Sequence, residues 1–389
     1  MSNGLKDLDA LLEPQERLDR LIAATFRRFG PRLVDLSYAN PYDGPDEEVL
    51  RALARVAAEG RGLSLQYTPY GGRVVTRRAI ATRLSREYGL QFDLRDIIMT
   101  AGATAALNVV FRGLFGPEDE VIVLTPCWQD YPLYLRNLDI PTSFVALGGD
   151  KHLDLDAIGR ALSRTTRGIV LSQPGCPTGV VYAKEELDGL ATLLREAEAR
   201  FGTSIYLISD EVHRRLVWGR RPLHSPLLSY PRSLSIYSFG KALALQGQRT
   251  GYVAVSPRMP ENDEVRGTLE RYVRIMGCCA PASLMQRAVC ELLDRRPRVE
   301  ALAENQKRVR STLADFGYEI CDAEATFFVY VKSPIRDDFR FAELLAAHAV
   351  LVVPSTLFHE PGHVRLSLTA RSAAIAAGLP AFAGVLKRL

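Results

Sequence analysis

Six short segments carry side chains whose types and spacing can do chemistry, and most of them follow an apolar run. Ser238-Phe239-Gly240-Lys241 closes one such run, and Arg249 stands eight residues beyond the lysine. An amine held at the end of a strand is a nucleophile for a carbonyl carbon. The hydroxyl and the guanidinium beside it suit an anion, although a solvated surface pair explains that segment equally well on its own. Ile208-Ser209-Asp210-Glu211-Val212-His213 puts a carboxylate after a second run. It can hold a proton on a heterocyclic nitrogen, or simply cap a helix. Thr100-Ala101-Gly102-Ala103-Thr104-Ala105-Ala106 is a small-residue turn between a strand and a helix. Its backbone N–H groups can cradle a phosphate at the positive helix end, though a tight turn needs glycine anyway. Trp128, in Pro126-Cys127-Trp128-Gln129-Asp130-Tyr131, can stack on a flat ring or fill core. Ser172-Gln173-Pro174-Gly175-Cys176-Pro177-Thr178-Gly179 is a turn stiffened by prolines. Arg365, inside the apolar Val364 to Leu368, requires an anionic partner, because an unpaired buried charge is costly.

Each segment is weak alone; their joint occurrence is not. Together they supply an amine, a partner for a ring nitrogen, a stacking aromatic, a phosphate cradle and a carboxylate binder. That set suits pyridoxal 5′-phosphate, whose aldehyde forms a Schiff base with lysine and whose ring stores electrons. Strand exits are where α/β folds place ligands.

The elements that must position them alternate apolar runs with amphipathic stretches, the pattern of a layered α/β protein. Strands are expected at Asp96 to Thr100, Glu120 to Thr125, Thr142 to Leu147, Arg167 to Ser172, Ile205 to Ser209, Ser233 to Tyr237 and Tyr252 to Ser256. Several are apolar on both faces, as strands covered by helices on each side must be. Helices are expected over Leu5 to Phe29, Glu47 to Glu59, Val74 to Tyr88, Ala105 to Arg112, Asp154 to Leu162 and Lys184 to Phe201. From Pro281 a long helix leads into a smaller α/β unit with strands near Phe327 to Val331 and Val364 to Leu368.

The 389 residues are enough for two domains and a large core. With 47% apolar and 24% charged residues, the chain is neither disordered nor fibrous. Lys and Arg exceed Asp and Glu by only 49 to 45 and are scattered, so nucleic acid is not an expected partner. No run is long enough to span a membrane. The six cysteines include no Cys-x-x-Cys, adjacent Cys278 and Cys279 do not readily share a metal, and the N-terminus is polar. The expectation is a reduced, cytoplasmic chain without a metal site. His359 and His363 are separated by Pro361 and Gly362, which break any metal-binding helix.

From about Asp35 to about Ser372 the sequence resembles the class I/II aminotransferases of pyridoxal-phosphate fold type I. The resemblance implies a large domain with a mainly parallel seven-stranded sheet, a smaller α/β domain built from both termini, and a homodimer with sites at the subunit interface. Here the division falls at 1–45 for the N-terminal arm and part of the small domain, 46–280 for the cofactor domain and 281–389 for the rest of the small domain. By resemblance, Lys241 is the Schiff-base lysine and proton shuttle, and Asp210 the carboxylate behind the pyridine nitrogen. Trp128 is the stacking aromatic. Gly102, Ala103, Thr104, Ser238 and Arg249 hold the phosphate, joined by Tyr67 from the partner subunit. Arg365 grips the substrate's α-carboxylate.

Three departures stand out. Cys176 occupies the position of an asparagine that donates to the cofactor's ring oxygen, and a thiol is a weaker donor. His213 replaces a tyrosine directed at the same oxygen, and this Asp-Glu-x-His pattern is similar to the cystathionine β-lyase-like branch of the fold. Ala39 stands where the family often has glycine beside the carboxylate site, while Thr326 and Ser355 replace further glycines. The weaker donors imply an altered titration of the lysine-bound cofactor's absorbance. The expected function is transamination of an L-amino acid; elimination, replacement or cyclisation on the same cofactor is the alternative.

Overall fold

The computed structural model describes residues 3–41, 44–60, 65–277, 280–297 and 299–389; Cys278 and Cys279 lie outside them. The apolar runs become β2 after a two-residue β1 (Val34–Asp35): β2 (Ile97–Thr100), β3 (Glu120–Thr125), β4 (Thr142–Ala146), β5 (Thr166–Ser172), β6 (Tyr206–Asp210), β7 (Ser233–Ser238) and β8 (Gly251–Val255). β2 through β8 form one seven-stranded sheet in the order β2-β8-β7-β6-β5-β3-β4. Neighbours are parallel except where β8 opposes β2 and β7. This is the α/β architecture with a mainly parallel seven-stranded sheet.

Burial explains the absence of alternation in these runs. β2 and β8 are buried at every residue, as is β7, where Ser233, Ser235 and Ser238 are buried too. Helix Gly102–Leu114 and helix Asn262–Met276 cover one face, through Val109, Val110, Val265 and Leu269. Helix Lys184–Phe201 covers the other side through Leu187, Leu190 and Leu194. A strand buried on both faces has no polar side to alternate with.

The chain's second part adds β9 (Phe328–Lys332), β10 (Val350–Leu351), β11 (Val353–Pro354) and β12 (His363–Ser367). β11, β12 and β9 make a three-stranded antiparallel sheet, and β10 pairs with β1, joining the two ends of the chain. Their core gathers Leu36, Val329, Phe341, Leu366 and Phe382.

The long helix expected from Pro281 is instead two helices, Ser283–Glu291 and Glu300–Asp315. Pro297 lies between them, and proline and its predecessor both resist helical continuation. The first of the two buries Met285 and Val289 with Val49, Ile80 and Met99, on the large-sheet side of the molecule. Helices Asn262–Met276, Asp338–Ala346 and Ser372–Leu386 go beyond the sequence-based expectation. Helix Asn3–Phe29 matches it and lies against the three-stranded sheet, where Leu18 packs with Tyr330 and Val353.

Candidate active site

The parallel strands bring the chemical segments to one edge of the large sheet. Ser172 is level with Asp210 across β5 and β6. Ser238 and Thr100 are both level with Gly251, because β8 runs the other way and starts where its neighbours end. Gly251 is needed there: a β-carbon would stand 2.3 Å from the Tyr237 carbonyl oxygen and 3.1 Å from Gly102 Cα. Close approach of this kind admits glycine alone.

A cavity of about 240 Å³ opens on this edge. Lys241 reaches it from the short helix Phe239–Leu243, Asp210 from the end of β6, and Trp128 from the loop after β3. Ala103, Thr104, Ser238 and Arg249 line one part of its wall, and Cys176 and His213 another. Gly102 begins helix Gly102–Leu114 with φ of +78°, and a β-carbon there would meet Arg249 Nη2 at 2.8 Å. That nitrogen also donates to Thr104 Oγ1 at 3.4 Å. The result is a cradle of helix-end N–H groups and a guanidinium, which favours an anion of the phosphate kind.

Burial sets the electrostatics. It lowers Lys241 to about 8, so a neutral, nucleophilic amine is accessible near neutral pH. Its Nζ lies 5.2 Å from the centre of the Phe327 ring. Burial raises Asp210 to about 6, against hydrogen bonds from Tyr131 and the Val212 amide that favour its charged form. Tyr131 Oη donates to Asp210 Oδ2 at 2.7 Å and is hydrogen-bonded with Ser172 Oγ at 2.9 Å. His213 is pushed well below its ordinary value by burial and therefore neutral. Its ring meets Phe327 and Phe328 edge-on, and its Nε2 has no protein partner. The Cys176 thiol is pushed up to about 12 by burial and stays protonated.

Arg365 opens onto a second cavity of about 470 Å³ together with Lys241, Trp128 and Ala39. It is 5% exposed. Nη2 donates to the Ser37 carbonyl at 3.0 Å, and the guanidinium lies 4.2 Å from the Phe328 ring centre. Nε has no partner, and among the described residues no carboxylate pairs with it. Burial without a counter-ion lowers it to about 10. Leaving such a charge unpaired costs several kcal/mol (roughly 3–5), so the site is built for an anion brought from outside.

These features test the fit of pyridoxal 5′-phosphate, and the residues present fit it. The cradle suits its phosphate, Asp210 its basic nitrogen, Lys241 its aldehyde, and the orphaned His213 Nε2 a polar ring substituent. The structure thus brings together Ala103, Thr104, Trp128, Cys176, Asp210, His213, Ser238, Lys241 and Arg249, with Gly102 behind them and Arg365 and Ala39 alongside. Tyr67 is not brought in: its side chain is fully exposed and lines neither cavity. Thr326 is buried with φ of +68°, a costly conformation for a β-branched residue. Ser355 turns its hydroxyl to Asp338 and the Glu360 carbonyl, away from the site. His359 stacks on Phe144 and His363 on Tyr330, on different surroundings.

Tyr131 and Ser172 were not anticipated as site residues. A signal for Tyr131 existed: it lies one turn beyond Trp128 and opens helix Tyr131–Asn137. The wall supplied by Gln15, Leu18, Asp19 and Ile22 of the N-terminal helix had none, because only packing between distant segments places it at the second cavity.

The family model described as aminotransferase class I and II matches residues 31–377. Aspartate/prephenate aminotransferase of Thermus thermophilus is 32% identical, over 94% of each chain. Methionine aminotransferase of Escherichia coli is 29% identical, over 89% of this chain and 91% of its own. An aminotransferase structure from Eubacterium rectale superposes with a TM-score of 0.91 at 28% identity, covering 95% of both chains.

Proposed function

The chain belongs to the aminotransferase class I and II family, and on that premise we propose that Lys241, Asp210 and Arg365 are the working groups of its site. It is a pyridoxal-phosphate-dependent aminotransferase acting on an amino acid. The observation that carries the assignment of residues is the pair formed by Lys241 and Arg365. A half-buried amine and a buried, counter-ion-free guanidinium open on one cavity, as an α-amino acid requires.

Bound here, the cofactor supplies an aldehyde for the amine and an electron-withdrawing ring. The residues do the rest. The Gly102 to Thr104 turn, Ser238 and Arg249 bind the phosphate. Trp128 stacks on the ring. Asp210, fixed by Tyr131 Oη and the Val212 amide, holds a proton on the ring nitrogen. Cys176 and His213 offer weak donors to the ring oxygen. Arg365 binds the substrate carboxylate, with Ala39 beside it, and so orients the α-carbon toward Lys241. The neutral amine of Lys241 would take a proton from that carbon and deliver it to the carbon that was the cofactor's aldehyde, a task its lowered pKa suits. Tyr67 completes the phosphate site from a partner subunit of a homodimer. We place the enzyme in the cytoplasm; among the described residues no helix is long and apolar enough to cross a membrane. We divide the chain at 1–45, 46–280 and 281–389, save that helix Ser283–Glu291 packs with the large sheet and moves the last boundary beyond Glu291.

The test is to mix holoenzyme with amino acids and follow both cofactor absorbance and product. Conversion to the amine form of the cofactor, with one 2-oxo acid released per site, supports transamination. Ammonia release with the starting absorbance restored moves the reading to elimination. Borohydride reduction fixes the cofactor on Lys241; a label on another lysine overturns that role.

A further inference from the structure

Resting on the aminotransferase reading above, the walls of the second cavity constrain the substrate's side chain. With the carboxylate on Arg365 and the α-carbon facing Lys241, the part of the side-chain site that this chain supplies is the remaining wall of the cavity that both residues line. That wall is contributed mostly by the N-terminal helix and the segment after β1. Leu18, Ile22 and Val353 give it apolar surface. Its polar part includes the carboxylates of Asp19 and Asp35 beside Gln15, Asn40 and Gln129. Gln129 Nε2 donates to Gln15 Oε1 at 2.8 Å, and Gln15 Nε2 donates to Asp19 Oδ1 at 2.8 Å, so one donor of each amide is used along a chain that ends on a carboxylate. Asp35 Oδ1 takes the Ser37 amide and hydroxyl, at 2.8 and 2.6 Å, and leaves its other oxygen without a bond. Asp19 forms no ion pair among the described residues. Among the described residues the cavity holds two carboxylates, and no cation other than Lys241 and Arg365, which are already assigned.

A dicarboxylic substrate needs a second cation for its distal carboxylate, because desolvating an anion beside like charge is costly. We propose that this enzyme takes an amino acid whose side chain is an aliphatic stem ending in N–H donors, an ammonium or guanidino group, with Asp19 as the specificity-determining residue. The stem lies along Leu18 and Ile22, and the terminal group meets the Asp19 carboxylate. None of this follows from the relatives' names, which cover acidic and thioether substrates.

The test compares holoenzyme turnover of arginine, ornithine and lysine with that of aspartate, glutamate and alanine. Arginine, ornithine or lysine is expected to exceed both acids at least tenfold in kcat/KM. Asp19→Asn should cut that preference several-fold, mainly through KM, and leave alanine within about twofold. Asp19→Lys should shift it toward the acids. As a binding readout without turnover, ε-aminocaproate should perturb holoenzyme absorbance at lower concentration than succinate, and Asp19→Asn should narrow the gap. If aspartate or glutamate is preferred, with a cation supplied by a second copy, this inference is overturned while the aminotransferase reading stands. An unchanged preference in Asp19→Asn overturns the role of Asp19. If no amino acid converts the cofactor, the underlying reading fails and this inference with it.

Discussion

Asp210 and Arg365 are buried charges that cost stability so that a ligand can be bound, and that cost is measurable. Burial lifts Asp210 from 3.8 to about 6. At pH below 3.8 the folded and unfolded chains both carry the proton, and there is no penalty. Between 3.8 and 6 the folded chain keeps a proton that the unfolded chain has lost, so stability falls as pH rises through this window. Roughly two pKa units correspond to about 3 kcal/mol. Asp210→Asn apoprotein should therefore match wild type in urea unfolding near pH 4 and be more stable by up to about 3 kcal/mol at pH 7.5, while turnover drops sharply. Equal stability at both values would contradict the buried-charge account. Arg365→Leu removes a buried charge that lacks a protein counter-ion, and such replacements are commonly neutral or stabilising. Its apoprotein should unfold no more easily than wild type. Its kcat/KM should fall at least about thirtyfold, matching the roughly 2 kcal/mol lower bound for losing one partner of a buried charged contact. Near-normal kcat/KM would remove Arg365 from the site. At this scale the sequence was informative about charge type: a lone arginine in an apolar strand required an anion. It was silent about Tyr131 Oη on Asp210, because that hydrogen bond joins residues 79 apart in the chain.

Elements place these residues by ending together. β6, β7 and β2 stop at one edge, β8 starts there, and helix Gly102–Leu114 begins beside them. The left-handed φ at Gly102 costs a residue with a side chain about 1–2 kcal/mol, and the added β-carbon would press on Arg249. Gly102→Ala should raise the cofactor's dissociation constant about tenfold, with circular dichroism unchanged. Unaltered affinity would argue against a phosphate cradle at this helix end. Most of the strands were legible because they are apolar runs, and helix Lys184–Phe201 because its apolar residues recur at helical spacing. The break between Glu291 and Glu300 was less so: Pro297 marks it, but only packing shows that the preceding helix joins Val49 and Ile80.

At the scale of the whole molecule, Tyr67 is an expected site residue that lines neither cavity of its own chain. Its side chain is fully exposed, and those of Tyr70, Val74 and Val75, a few residues on in the chain, are also exposed. If Tyr67 serves a partner's site, Tyr67→Ala and Lys241→Ala chains should each be impaired alone. Refolded together in equal amounts they form hybrid dimers with one intact site, recovering roughly a quarter of wild-type activity by random pairing. No recovery, or a monomer in sedimentation, would return Tyr67 to the surface. The N-terminal helix is the other long-range contribution, since it walls the cavity beside Arg365 from the far end of the chain.

The sequence by itself determined the chemistry and the layers: which groups exist, and which runs must be buried on both faces. It could do so because nucleophilicity, charge and hydrophobic periodicity are properties of short segments. Only the tertiary structure decided which groups share a cavity. The orphaned guanidinium, the Tyr131 bond on Asp210 and the wall around Asp19 all depend on segments far apart in the chain, and no local pattern encodes where such segments meet.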